Sequence, residues 1–273
     1  MPNTANIADP VTFTVTDGIG MVTLNRPEKR NAMNAAMITR IAEIFGTPDP
    51  EVRAYVITAA GDHFSGGLDL SEHVQRSPLE VMDLSAFWHR ATQLIIDSPI
   101  PVICGLKGYV IGAGLELAAA AHVRFMEPDA KFSLPEGRRG IFVGGGASVR
   151  VGQLIGTSHL TEMMLSGREV TADEALRLGL CQRLSAPGQA AHDAQAYAVE
   201  VSTNASLSNR MILLGLRHIS EMSANAGLFT ESLAAALTQT SPEATERMTA
   251  FFGGRKATKE LPEGAPRRQA NQP

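Results

Sequence analysis

The stretch from residue 110 to 121, VIGAGLELAAAA, constrains this chain more than any other. Gly112 and Gly114 flank Ala113, and a run of strong helix formers follows. Glycine lets the backbone bend sharply and lets another group approach it closely. The apolar run predicts a buried helix. A loop that enters a helix in this way leaves unpaired backbone N–H groups at the positive end of the helix dipole. Such a place can hold an oxygen that gains negative charge during a reaction. Glu116 lies three residues after Ala113, on the same helix face. A single carboxylate on an otherwise apolar helix needs a reason, because a lone buried charge is expensive.

Around this stretch, short apolar runs alternate with helical spacing. Residues 11–15 and 20–24 flank Asp17-Gly18, a hairpin turn signal. Met33, Met37, Ile41 and Ile44 predict a helix over 33–45. AYVITA (54–59) reads as a buried strand that runs into the turn-rich loop 61–69. An amphipathic helix is predicted over 81–98, and a buried strand over 99–106 leads into the Gly112 loop. Residues 122–126 read as a strand, 131–136 as extended chain, and 149–155 and 160–165 as helices. Thr171 to Glu174 has the form of a capping box, and 180–184 reads as a last short strand. This alternation predicts an α/β architecture with mostly parallel strands. From about Gly188 the strand signals stop, and helices are predicted over 190–205, 208–226 and 231–252. The polar, proline-containing tail 258–273 is expected to be poorly ordered.

Net charge is −4 and the lysines and arginines are scattered, which argues against nucleic acid as a partner. Cys104 and Cys181 lie in apolar surroundings without CxxC spacing, so buried free thiols and a reducing compartment are expected. His63, His73 and His89 are too dispersed to suggest a metal site, and none is expected. The N-terminus lacks the pattern of a secretory signal, and no apolar run reaches the roughly 20 residues of a membrane span. A cytoplasmic protein with no membrane partner is the expectation.

Two loops share one design. Phe64 to Asp69 and Gly112 to Glu116 each follow a buried strand and carry glycines. If they meet in space, two backbone N–H groups can grip one carbonyl oxygen; losing one such donor costs on the order of 3 kcal/mol of barrier. Glu116 and Glu136 are then candidates for proton transfer, because an apolar pocket raises a carboxyl pKa toward neutrality. Other readings stand beside this one. Glu116 could be a structural carboxylate paired with Arg124 or Arg150. Pro135-Glu136-Gly137 is also a turn sequence, and it recurs at Pro262-Glu263-Gly264. Gly144-Gly145-Gly146 suggests a phosphate loop but lacks the G-K-S/T ending, and Ser65 is not in a G-x-S-x-G elbow.

The segments VTLNRPEKRNAMN (22–34), HFSGGLDL (63–70), GYVIGAGLELA (108–118), AKFSLPEGRRGIFVGGG (130–146) and MMLSGREVTADEALRLGL (163–180) occur in order across residues 11–185. In this the chain resembles the enoyl-CoA hydratase/isomerase (crotonase) superfamily. The resemblance implies a crotonase-like spiral of ββα units over 1–187 and a helical trimerisation part over 188–257. It implies an acyl-CoA substrate, no cofactor other than the coenzyme A carried by that substrate, and a homotrimer or homohexamer. By position, the N–H groups of Leu68 and Ala113 correspond to the oxyanion hole, and Glu116 and Glu136 to the two glutamates that hold water in family hydratases. Arg26, Lys29 and Arg30 correspond to contacts with the CoA phosphates. Gly66, Leu68, Asp69, Leu70 and Gly112 fall in the segments that meet the rest of the thioester. The implied reaction is hydration of a 2-enoyl-CoA. Double-bond isomerisation, thioester hydrolysis, retro-aldol cleavage and acyl-CoA binding without catalysis are the alternatives. The chain departs from the common pattern at Ala113 (often Gly), His122 (usually Asp), Ser71 (often Lys in hydratases) and the bulky, basic GRRGIFVGGGASVRV (137–151).

Overall fold

Asp17 and Gly18 both take positive φ, 51° and 78°, the backbone of a tight two-residue hairpin turn. The turn joins β1 (Val11–Thr16) to β2 (Ile19–Leu24) as an antiparallel pair, as the alternating sequence predicts. The structure, a computed structural model, describes residues 9–72 and 76–259. The expectation of disorder over 258–273 therefore lies, from residue 260 on, outside the described residues.

After the hairpin the chain alternates as expected. Helix α1 (Ala35–Gly46) starts at Asn34, whose side chain accepts a hydrogen bond from the Met37 N–H. Next come β3 (Ala54–Ala59), α2 (Pro78–Ile96) and β4 (Val102–Leu106). Ser77 and Glu80 form a reciprocal capping box at the start of α2. Then follow β5 (Tyr109–Ile111), α3 (Ala113–Ala120), β6 (Val123–Met126) and β7 (Lys131–Ser133). The remaining elements of this part are α4 (Ala147–Ile155), α5 (Thr157–Ser166), β8 (Val170–Thr171), α6 (Ala172–Leu178), β9 (Arg183–Leu184) and α7 (Ala190–Ser202).

Six strands form one sheet in the order β1-β2-β3-β4-β6-β9, and every pairing after the first hairpin is parallel. Parallel strands need crossovers, and α1, α2 and α3 lie on those connections. Strand β3 is buried on both faces. Tyr55, Ile57 and Ala59 join the main core with residues of α1, α2 and α3, whereas Ala54 and Val56 face a second cluster with Ala190, Ala194 and Ala198 of α7. The four-residue spacing of those alanines is one stripe of a helix, and the two-residue alternation of β3 is the pleat of a strand. Small residues let α7 lie close to the sheet. A methyl group on Gly105 of β4 would come within 2.8 Å of the Ala191 backbone.

A second, smaller sheet, β5-β7-β8, was not legible as such; only the extended run at 131–136 marked it. Two further expectations are corrected. Of the strand expected over 180–184, only Arg183–Leu184 pairs, because Leu180 and Cys181 donate their N–H groups to the Ala175 carbonyl. At α6, Thr171 caps as predicted, but Glu174 turns its carboxylate to Arg168 at 2.7 Å and does not close the box. Cys104 and Cys181 are free and buried.

The chain forms two compact units, one ending at Leu214 and the other beginning at Gly215. Helix α8 (Ser206–Arg210) ends the first with the start of a π-helical turn, Met211–Gly215. The second contains α9 (Leu216–Ser220), α10 (Ala224–Gln239) and α11 (Pro242–Lys259). The helix expected over 231–252 breaks at Ser241-Pro242: the Ser241 hydroxyl accepts from the Ala244 N–H, and a proline suits the first turn of the new helix. Among the described residues no helix is long and apolar enough to cross a membrane.

Candidate active site

The segment that follows β3 is clamped on both sides. Ser65 donates its N–H to Tyr109 O at 2.8 Å and accepts from Ile111 N at 3.1 Å. On its other side Gly67 O accepts from Met33 N at 2.7 Å, and Asp69 N donates to Met33 O at 2.9 Å. The segment thus behaves as a short strand between residues 30–33 and β5, with one residue, Leu68, left over. Among the described residues nothing accepts from the Leu68 N–H.

The glycine loop beside it enters α3 through Gly112, whose φ of 50° and ψ of −118° suit glycine alone. The Gly112 N–H is used, donated to Ser133 O at 2.9 Å. The Ala113 N–H, first in the helix, has no acceptor among the described residues. The two glycines before these amides touch. A methyl group on Gly112 would sit 3.9 Å from Gly67 Cα, and one on Gly67 would sit 3.1 Å from Ile111 O. Gly114 allows the same approach one residue later, since a methyl there would meet Ser65 Cβ at 2.6 Å. The two loops therefore do come together, which their shared sequence design could suggest but not establish.

Helix α3 is buried over its whole length, and Glu116 is buried with it. Its Oε1 accepts from Gly145 N at 2.7 Å and Ala147 N at 3.2 Å, at the turn into α4. Burial pushes the Glu116 carboxyl above its ordinary range, while the two N–H groups, Arg150 and His89 pull the other way. Glu136 stands shortly after β7, as the residue that precedes the turn Gly137–Arg139. Gly112 is its close neighbour, since a methyl there would lie 3.2 Å from Glu136 Oε1. Glu136 Oε2 is buried and accepts no hydrogen bond from the described residues. Burial pushes this carboxyl up as well and the nearby charge of Glu116 adds to the rise, while its own backbone N–H and Arg139 pull the other way.

The predicted residues sort clearly. Leu68, Gly112, Ala113, Glu116 and Glu136 are gathered into one cluster, with Gly66 and Asp69 on the segment that supports it. Arg26 is committed to that support: its guanidinium bonds Asp69 Oδ2 at 2.9 Å and Ala32 O at 2.7 Å. Arg30 lies outside the cluster with its guanidinium over the Tyr109 ring, 5.8 Å from its centre. Lys29 and Leu70 are exposed. As for the structural alternative, Arg124 donates to Leu180 O and Ala121 O, whereas Arg150 donates to Gly145 O and its charge acts on Glu116.

Sequence reasoning missed three contributors. Asn31 is wholly buried at a φ of 52°; its side chain donates to Ala60 O and His63 O and accepts from Arg26 N, fixing the loop before Leu68. Its only signal was residue type, since asparagine tolerates left-handed backbone. The glycine cluster at 144–146, considered for phosphate, spends its N–H on Glu116. Ser85 of α2 donates to Gly144 O at 2.7 Å, a contact across 59 residues that no local pattern announces.

Comparison with known proteins identifies the family. Residues 14–260 match the family model for enoyl-CoA hydratase/isomerase. YngF of Bacillus subtilis, named for that same family, is 30% identical over 255 residues, 92% of this chain and 98% of its own. The short-chain-enoyl-CoA hydratase of Clostridium acetobutylicum is 27% identical over 87% of this chain and 92% of its own. A solved structure from Rhodopseudomonas palustris, named for enoyl-CoA hydratase, is 42% identical with a TM-score of 0.89, covering 93% of this chain and 99% of that one. The chain belongs to the enoyl-CoA hydratase/isomerase (crotonase) family of acyl-CoA enzymes.

Proposed function

We propose that the protein is an enoyl-CoA hydratase that adds water across the double bond of a 2-enoyl-CoA thioester. The observation that carries this reading is the pair of buried carboxylates beside two unpartnered amides, since a water needs one group to take its proton and the substrate needs another to give one. Relatives named as hydratases lend it support.

In this reading the thioester carbonyl lies against the N–H groups of Leu68 and Ala113. Glu116, with its N–H partners and nearby positive charge, is the carboxylate. It takes a proton from water as the oxygen bonds to C3. The C2–C3 π electrons move toward the carbonyl, whose oxygen gains the charge that the two amides stabilise. Glu136, whose protonated form burial and the Glu116 charge favour, gives its proton to C2, and the enolate collapses to the 3-hydroxyacyl thioester. The cycle leaves Glu116 protonated and Glu136 ionised, and the next water to enter returns the proton. Arg30 and Lys29, exposed beside the loops, suit the CoA phosphates, and a trimer or hexamer is the assembly this reading carries with it.

Glu116→Gln and Glu136→Gln, assayed on crotonyl-CoA and longer enoyl thioesters, test the proposal. Each is expected to lose on the order of a hundredfold or more in kcat, and the wild-type product is expected to gain the mass of one water. Hydration that survives both changes, or a product of unchanged mass, rejects it.

A further inference from the structure

Glu116 is oriented by a turn that has almost no side chains of its own. Gly144, Gly145 and Gly146 precede Ala147, and three glycines in a row make the most flexible backbone a chain can offer. Two N–H groups from this turn nevertheless converge on a single carboxylate oxygen. Something outside the turn has to fix it.

Two side chains do so. The first peptide is held at its carbonyl: Ser85 Oγ donates to Gly144 O, and the N–H of that same peptide, on Gly145, donates to Glu116. The peptide between the two donors, Gly145 to Gly146, is held by Arg150, one turn into α4, whose Nη1 donates to Gly145 O at 2.6 Å. The guanidinium also occupies the space a side chain at Gly146 would need; its Cζ is 2.7 Å from where a Cβ would stand. Gly146 takes a φ of 106°, and its carbonyl accepts from the N–H groups of Val149 and Arg150, so the turn is tied to the helix that carries the arginine.

We propose that Arg150 is a positioning residue for Glu116, acting through the glycine turn that it pins from the first turn of α4. The inference rests on the hydratase reading for its catalytic meaning. Its charge acts in the same direction as its geometry. The charged or titratable groups that bear on Glu116 are Arg150 on α4, His89 on α2 and Glu136 after β7. Burial favours the protonated acid; Arg150 and His89 favour the carboxylate.

The test uses the full-length protein with Arg150→Met, which removes both donor and charge, and Arg150→Gln, which keeps a donor but no charge. With crotonyl-CoA, Arg150→Met is expected to lower kcat about tenfold or more while KM stays within about threefold. The acid limb of its kcat–pH profile moves to higher pH, and Arg150→Gln falls between it and wild type. Carboxyl 13C NMR of glutamate-labelled protein, with the Glu116 signal assigned by its loss in Glu116→Gln, gives a readout that needs no turnover: Glu116 titrates at higher pH in both variants. Unchanged kcat and acid limb in a folded Arg150→Met, or an unchanged Glu116 titration, overturns the proposal. Should Arg150→Met fail to fold, the same two readouts on Arg150→Gln decide. A wild type that hydrates no enoyl thioester ends the hydratase reading, and the NMR titration alone then decides the role of Arg150.

Discussion

Glu116 and Glu136 lie close enough for the charge of one to raise the pKa of the other, yet their hydrogen-bond settings differ. Oε1 of Glu116 accepts from Gly145 and Ala147 N–H at 2.7 and 3.2 Å, whereas Oε2 of Glu136 is buried and accepts from no described residue. A carboxylate is stabilised by donated hydrogen bonds, and a neutral carboxyl tolerates their absence better. In the proposed mechanism this asymmetry is what would separate a base from an acid in one apolar space.

A bell-shaped pH profile follows. In the proposed mechanism activity needs Glu116 ionised and Glu136 protonated, and two carboxyls this near titrate together. Both are raised above the ordinary glutamate value of 4.5, so both limbs of kcat/KM are expected above that pH. Rates measured across the acid-to-neutral range check this; an acid limb at or below 4.5 contradicts it.

Glu136→Gln is expected to trade activity for stability. The folded-state pKa of Glu136 is raised, so its contribution to stability is complete below the unfolded value near 4.5 and is lost as pH rises through the folded value. Glutamine cannot ionise and escapes that loss. The gain of the variant over wild type should therefore grow with pH above 4.5. Urea unfolding at several pH values measures it, and a gain that shrinks with rising pH refutes the sign.

Gly145→Ala should damage catalysis before it damages the fold. A Cβ at that position would meet the Glu116 carboxyl carbon at 2.7 Å, so the carboxylate has to swing off its two amides. Because Glu116 ends on a side chain that can move, a modest stability cost of about 1–3 kcal/mol is expected. The expected kcat loss is on the order of a hundredfold. Parallel thermal unfolding and steady-state kinetics separate the two effects.

Asp69→Asn probes the support beneath the Leu68 amide. The Ser71 hydroxyl and the Arg26 guanidinium hold the Asp69 carboxyl down from 3.8 to about 2. A depressed acid contributes stability above its unfolded value and loses it as pH falls through the folded one. Asparagine keeps the shape but not the charge, and a charge-assisted bond is worth about 1–3 kcal/mol. The deficit of the variant is expected at neutral pH and should narrow as pH falls from 3.8 toward 2. A deficit that is constant over that window contradicts the ion pair as its source.

The hairpin at Asp17-Gly18, the strand Ala54–Ala59 and the helix caps at Ser77 and Thr171 rest on signals carried within a few residues. Of these the Ser77 cap was passed over, although its Ser-Pro-x-Glu pattern was present to be read. The small sheet β5-β7-β8 escaped because strands of two and three residues have no periodicity to show. The break at Ser241-Pro242 was legible as a helix start and was overridden by the apolar spacing around it.

For the site, residue order alone placed glycines at two strand-to-helix turns and an acid one helical turn past the second of them. Those are local facts, set by which backbone angles a residue can adopt and by the pitch of a helix. The sequence could not place the Gly67 backbone against Gly112, leave the Leu68 and Ala113 amides without acceptors, or bring Gly145 to Glu116 across 29 residues. Those outcomes belong to the tertiary structure. A buried polar group takes its energy and its proton affinity from whichever partner the packed chain brings near, and spacing along the chain carries no record of that distance.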